Sequence, residues 1–228
     1  MEEPAAEEAV MEEPAAEEAV MEEPAAEETV MEEPAVEEAA APEPEAPVGS
    51  KEAVIQDLQS INAGVDALFG SIGELYALRK PVEDGQNKLK ETYTQFKDRI
   101  PQFKEDVDTL DSNFYEMGIN MKQTFEKWQL ALDGMGSEAV RAQGQKRRDS
   151  KLEIFDSLSL DMESLQSELA SFISGLSDIE SFLAFALDAE GVSQIGDMLY
   201  DSSKSVDKLS DGIEKITDKV ANLPDVME

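Results

Sequence analysis

Neither cysteine nor histidine occurs among the 228 residues, and tryptophan occurs once. Without Cys there is no disulfide framework, no thiol nucleophile and no Cys-based zinc site. Without His there is no Ser-His-Asp triad and no imidazole ligand or proton shuttle. Bases are scarce as well: 19 Lys and Arg stand against 52 Asp and Glu, for a net charge of −33. That balance disfavours nucleic acid, because phosphate contacts require Lys and Arg. No apolar run approaches the roughly 20 residues of a membrane span. The length admits one ordinary domain of about 150–200 residues plus a further segment.

The charge is unevenly placed. Residues 1–50 hold 18 Glu and no Asp, Lys or Arg, whereas residues 51–228 hold 34 acids and 19 bases. The first part is a decapeptide repeat, MEEPAAEEAV with small variations, each copy carrying two Glu pairs and one proline at Pro4, Pro14, Pro24 and Pro34. Ala and Glu favour helix, but a proline every ten residues breaks it. The Glu pairs repel one another, and a few Val and Met cannot offset the entropy of ordering the backbone. A disordered acidic tail is expected over residues 1–50, ending in the linker APEPEAPVGS. In polyproline II form it reaches about 150 Å, at ~3.1 Å per residue. A spacer is the plainest use. Weak divalent cation or mineral-surface binding is an alternative, although the Glu pairs lack the glycine turn and carbonyl ligands of a dedicated calcium loop. Met1 recurs as Met11, Met21 and Met31, so an upstream signal peptide or lipidated cysteine is compatible with the repeat.

Residues 51–228 are written in heptads. Apolar residues step by four and three through Val54, Leu58, Ile61, Val65, Leu68, Ile72 and Leu75. The phase continues across Pro81 through Val82, Leu89, Tyr93, Phe96, Ile100, Phe103, Val107, Leu110, Phe114, Met117, Met121 and Trp128. A further series runs from Phe155 to Leu183, and another from Val192 to Leu223. Such a repeat signals helices with left-handed, coiled-coil-like packing, and no period-two stretch suggests a strand. Pro81, the turn Asp133-Gly134-Met135-Gly136-Ser137 and Gly191 punctuate the pattern. Four helices are predicted, over 52–79, 83–132, 139–188 and 192–222. Pro101 either kinks the second or splits it. The expected fold is all-α: an elongated antiparallel helical bundle, or coiled-coil hairpin, of about four helices behind a disordered acidic tail.

Candidate chemistry is sparse. Arg141, Lys146, Arg147, Arg148 and Lys151 form a basic island in an acidic chain, and the next 52 residues, 152–203, contain eleven acids and no base. The island reads as a solvated helix face paired with acidic neighbours, or as a patch for an anionic partner. Without interleaved aromatics it does not read as a nucleic-acid site. The carboxylates after it lack the Glu-x-x-His motifs of a di-metal bundle and follow the exposed phase, so neither metal, catalytic nor cofactor site is expected. Trp128 lies on the seam and reads as a core anchor. The most apolar stretch is 172–187. Through Phe172, Phe182, Leu183, Phe185 and Leu187 it reads as a buried helix, or alternatively as a membrane- or partner-insertion element interrupted by Asp178 and Glu180.

The order of several motifs resembles a known pattern. Phe125-Glu126-Lys127-Trp128 is followed by Val140-Arg141, Arg147-Arg148, Asp161-Met162, Asp178-Ile179, Phe182-Leu183, Leu187-Asp188-Ala189 and Val192 with Ile195. Over about 110–210 this is similar to a family of uncharacterised bacterial proteins, often predicted envelope lipoproteins, known only as a domain of unknown function. That family carries a F-L-K-H-N-L-N-A-x-A-I run near the end of a long helix. Here Ala184, Phe185 and Ala186 replace its Lys-His-Asn. The resemblance implies a long helical body and a cell-envelope setting, and it implies no enzymatic activity.

The expected function is therefore that of a non-enzymatic structural or adaptor protein of the bacterial cell envelope or periplasm, with the cytoplasm as alternative. A protein partner is expected and nucleic acid is not. Membrane contact, as in a pore-forming-like helical protein, is the competing reading. Oligomeric state is left open.

Overall fold

The computed structural model divides the chain into two units, residues 1–42 and 43–228. It describes residues 46–80 and 82–223, all in the second unit. The acidic repeats, and with them the expected disorder and cation binding, lie outside the described residues, as does Pro81.

The described residues are all-helical. Five helices follow one another: α1 (Lys51–Ala77), α2 (Gly85–Asp133), α3 (Glu138–Leu183), α4 (Ala189–Gln194) and α5 (Gly196–Ala221). The heptad series becomes the core. Every predicted seam residue of α1 is buried, from Val54 to Leu75, as is the α3 series from Leu158 to Leu183. So are Val192, Ile195, Leu199, Val206, Leu209, Ile213, Ile216, Val220 and Leu223. In α2 the seam is buried apart from Tyr93, Phe114 and Trp128, which, like Phe155 of α3, pack partly buried against the core, while Val82, ahead of α2, is exposed instead of lying on the seam. Phe103 and Phe172 meet edge to face at 5.9 Å, a geometry that aligns a ring edge with the negative face of its neighbour.

Each of α1 and α3 packs against both α2 and α5. Polar ties give the directions. Gln86 at the start of α2 donates to the Leu187 carbonyl at 2.7 Å, and Gln166 donates to Asp111 at 2.8 Å. Lys51 at the start of α1 donates to the carbonyl of Leu223 just past α5, at 3.2 Å. Neighbouring long helices therefore run antiparallel. Lysines of α5 face the base-free stretch of α3: Lys208 pairs with Glu168 at 2.6 Å, and Lys215 pairs with Asp161 at 2.9 Å.

Three places along the chain bear on the expected boundaries. Gly49-Ser50, expected to be a flexible linker end, is fastened. Gly49 sits at φ +71°, donates to Asn113 at 3.1 Å and accepts from Asn120 at 3.3 Å. Ser50 caps α1 by accepting from the Ala53 amide at 3.0 Å. Only glycine adopts that φ freely, and an added Cβ would lie 2.6 Å from the Glu116 Cβ. Second, Pro101 does not split α2, which runs through it as one helix: the proline lies on the exposed face while the seam residues Phe96, Ile100 and Phe103 stay in register. Third, α3 stops at Leu183 rather than 188. Asp188 accepts the Gly191 amide at 2.8 Å and starts α4, so the chain must turn before it. Gly191 lies inside α4, where its missing side chain admits the Ala186 carbonyl.

Candidate functional site

The basic island sits where helices end. The last four carbonyls of a helix lack intrahelical partners and carry its negative dipole end. Lys151 donates to the Asn222 carbonyl, the C-cap of α5, at 3.0 Å. Arg141 donates to the Met135 carbonyl, just past α2, at 3.0 Å. Arg148 reaches across the hairpin to the Phe125 carbonyl at 3.2 Å and pairs with Asp149 at 3.0 Å. Three of the five cations thus hold the end of the body together, pairing mainly with carbonyls rather than with acidic side chains. Lys146 and Arg147 are exposed.

Past the ends of α1 and α5, α2 and α3 continue as a pair to the turn at 134–137. Gly144 lets them close: a Cβ there would fall 2.3 Å from Leu132. The inner face of this pair holds Leu132, buried, and Trp128, partly buried. The outer face exposes Leu130, Val140 and, at the turn, Met135.

The apolar stretch 172–187 is mostly core. Phe172 and Leu183 are buried, and Phe182 and Leu187 pack partly buried against them. Phe185 alone points outward, 94% exposed, because the loop after Leu183 turns it away from every packed face.

Shallow grooves run between neighbouring helices, among them one on α1 and one on α2. Between α1 and α5 lies one of about 420 Å³ lined by Gln59, Asp66, Ile213, Glu214 and Asp218, with the Asn62 Oδ1 buried and without a partner. Between α2 and α3 lies an apolar one of about 440 Å³, over Gly118, walled by Phe114, Tyr115, Ile119 and Phe155. Sequence reasoning passed over this second groove. Its signal was present: Tyr115 and Ile119 are large apolar residues off the seam phase, beside a glycine.

Three groups titrate away from their ordinary values. Hydrogen bonds from Lys215 and Lys219 hold the Asp161 carboxyl below the usual range. Burial raises Asp57 despite the hydrogen bond from Asn113, with the nearby Asp106 adding to the rise. Burial, helped by Glu180, raises Tyr93. None of the three lies in a groove with a second such group. Among the described residues no group of three His, Cys, Asp or Glu is placed to hold a metal ion, and no helix is long and apolar enough to cross a membrane. No family model, curated protein or solved structure matches the chain.

Proposed function

We propose that the chain is a non-enzymatic structural or adaptor protein: an acidic N-terminal spacer joined to an elongated antiparallel four-helix body that presents the α2–α3 end for docking. The observation that carries this reading is the pairing, at that end, of exposed Leu130, Met135 and Val140 with exposed Lys146 and Arg147. Surface aliphatics gathered beside unspent cations suit a protein partner with an apolar, acid-rimmed face. The length of α2, 49 residues or about 70 Å at ~1.5 Å per residue, supports a role in spanning distance. The cell-envelope setting rests on the family resemblance over 110–210.

A photo-crosslinking residue at position 140 in the full chain tests the docking end. One defined protein adduct is expected there, and none from position 204 on α5. Equal labelling from both positions, or none from 140, would overturn the docking end. The membrane-active alternative keeps one supporting observation, the exposed Phe185. It requires liposome flotation that is lost in Phe185→Ser.

A further inference from the structure

The start of α3 departs from the pattern that folds the rest of it. From Leu158 to Leu183 the helix buries a residue at every third or fourth position, whereas from Glu138 to Ser150 it buries none. On the facing stretch of α2, from Glu126 to Asp133, Leu132 is the one buried residue and Trp128 is partly buried. Leu132 lies over Gly144, which has no side chain to add apolar area. A helix that is polar on every face gains little from tertiary packing, and an isolated helix shorter than about 12–15 residues is marginal in water.

Charge works against this stretch as well. Over positions 138–151, Arg141, Lys146, Arg147, Arg148 and Lys151 stand against Glu138 and Asp149. Arg147 and Lys151 are one turn apart, at the i,i+4 spacing where like charges repel. Arg141 lies near the N-terminal end of α3, where the helix dipole is positive. The hydrogen bonds of Arg148 to the Phe125 carbonyl and of Lys151 to the Asn222 carbonyl lie at the inner limit of the stretch, beside the Phe125–Phe155 ring pair at 6.4 Å. They fasten its base.

We infer that residues 126–150 are a hairpin that opens by itself while the remaining helices stay packed, and that neutralising its cations holds it closed. Local opening of this kind belongs to regions with few buried apolar contacts. For its use the inference rests on the reading of this end as a docking surface: an acidic partner face supplies the missing charge, so docking and ordering become one step. Part of the interaction energy is then spent on ordering the hairpin.

The test is native-state hydrogen exchange of the full chain without a partner, read amide by amide along α3. After correction for intrinsic rates, the amides of 142–150 are expected to exchange about a hundredfold or more faster than those of 162–180, although both lie in one helix. Urea below the unfolding transition speeds the 162–180 amides and leaves 142–150 nearly unaffected, because a small opening exposes little surface. Leu132→Ala removes the one buried side chain and speeds exchange over 126–150 about tenfold or more, with the 162–180 rates unchanged. Arg147→Glu turns the repulsion with Lys151 into attraction and slows exchange over 142–150 about two- to fivefold. Uniform protection along α3, a common urea dependence, or a Leu132→Ala effect that reaches 162–180 overturns the separate hairpin. Unchanged or faster exchange in Arg147→Glu overturns its control by charge. Crosslinking from position 140 bears on docking alone, so each reading fails by its own measurement.

Discussion

Gly191 illustrates how much a single absent side chain decides. The Ala186 carbonyl passes so close that a Cβ at position 191 would fall 2.0 Å from its oxygen, and the atoms in conflict are backbone. No rotamer change relieves a backbone clash, so the loop or α4 must shift. Gly191→Ala is therefore expected to cost about 2–4 kcal/mol in chemical denaturation, at the upper end of point-mutant effects. Gly70→Ala serves as the control: nothing lies within 4 Å of that added Cβ, and a Gly-to-Ala change in an exposed helix gains about 0.5–1 kcal/mol.

Asp57 makes a prediction of opposite sign to the usual one for a carboxylate. Burial raises its pKa above the ordinary 3.8. The native state then holds a proton that the unfolded chain has released, so the stability contribution of this group falls as pH rises from 3.8 through the native value. Above that window a constant penalty remains. Asp57→Asn keeps an acceptor for the Asn113 amide, which now bonds Oδ2 at 2.7 Å, and removes the charge. Its melting temperature is expected to exceed that of the wild type at pH 7, with the gap closing below pH 3.8. Asp161 behaves conventionally: its lowered pKa gives stability above 3.8 that is lost as pH falls through the native value.

At the scale of the element, α2 carries Pro101 in its interior. Proline there removes the amide that would bond the Lys97 carbonyl and crowds the turn before it, at a cost of about 3 kcal/mol in a free helix. The structure tolerates this because the proline is exposed and the seam on either side is locked by buried Phe96, Ile100 and Phe103. Pro101→Ala is expected to stabilise the protein by about 1–3 kcal/mol, read as a higher denaturant midpoint with unchanged slope. A loss of stability would mean that a bend at Pro101 is needed for α2 to stay on its neighbours. The basic island belongs to this scale too. As a run of sequence it looked like a patch on a helix face. In three dimensions Arg141 holds the carbonyl of Met135 in the turn after α2, and Lys151, further along α3, holds the carbonyl of Asn222 at the end of α5.

For the whole molecule the governing quantity is charge. Residues 51–228 carry 34 acids against 19 bases, and the preceding fifty residues add 18 Glu. The α3–α5 ion pairs are partly exposed and each is worth about 0–1 kcal/mol, which a few tenths of repulsion among many carboxylates outweighs. Raising sodium chloride from ~0.01 M to ~1 M shortens the Debye length from about 30 Å to 3 Å. The melting temperature is therefore expected to rise with salt. A fall would show that the bridges of Asp161 and Glu168 dominate the repulsion.

What the sequence determined by itself was the kind of element and its buried face. A four-three apolar spacing satisfies only a helix, and nearly every seam residue it named from Val54 to Leu223 is core, because burial of that stripe is the one large favourable term available to these helices. The concentration of charge in residues 1–50 was equally plain, being a matter of composition. Tertiary structure decided the rest. The stop at Leu183 depends on a carbonyl meeting Gly191, a contact no local pattern records. The partners of Arg148 and Lys151 lie 23 and 71 residues away, so their use was invisible until the helices were placed side by side. The groove over Gly118 exists only because α2 and α3 approach each other with two apolar residues left outside the seam. Heptad spacing says which face of a helix seeks cover, but which helix supplies that cover, and what it leaves open, follows from the packing of all of them together.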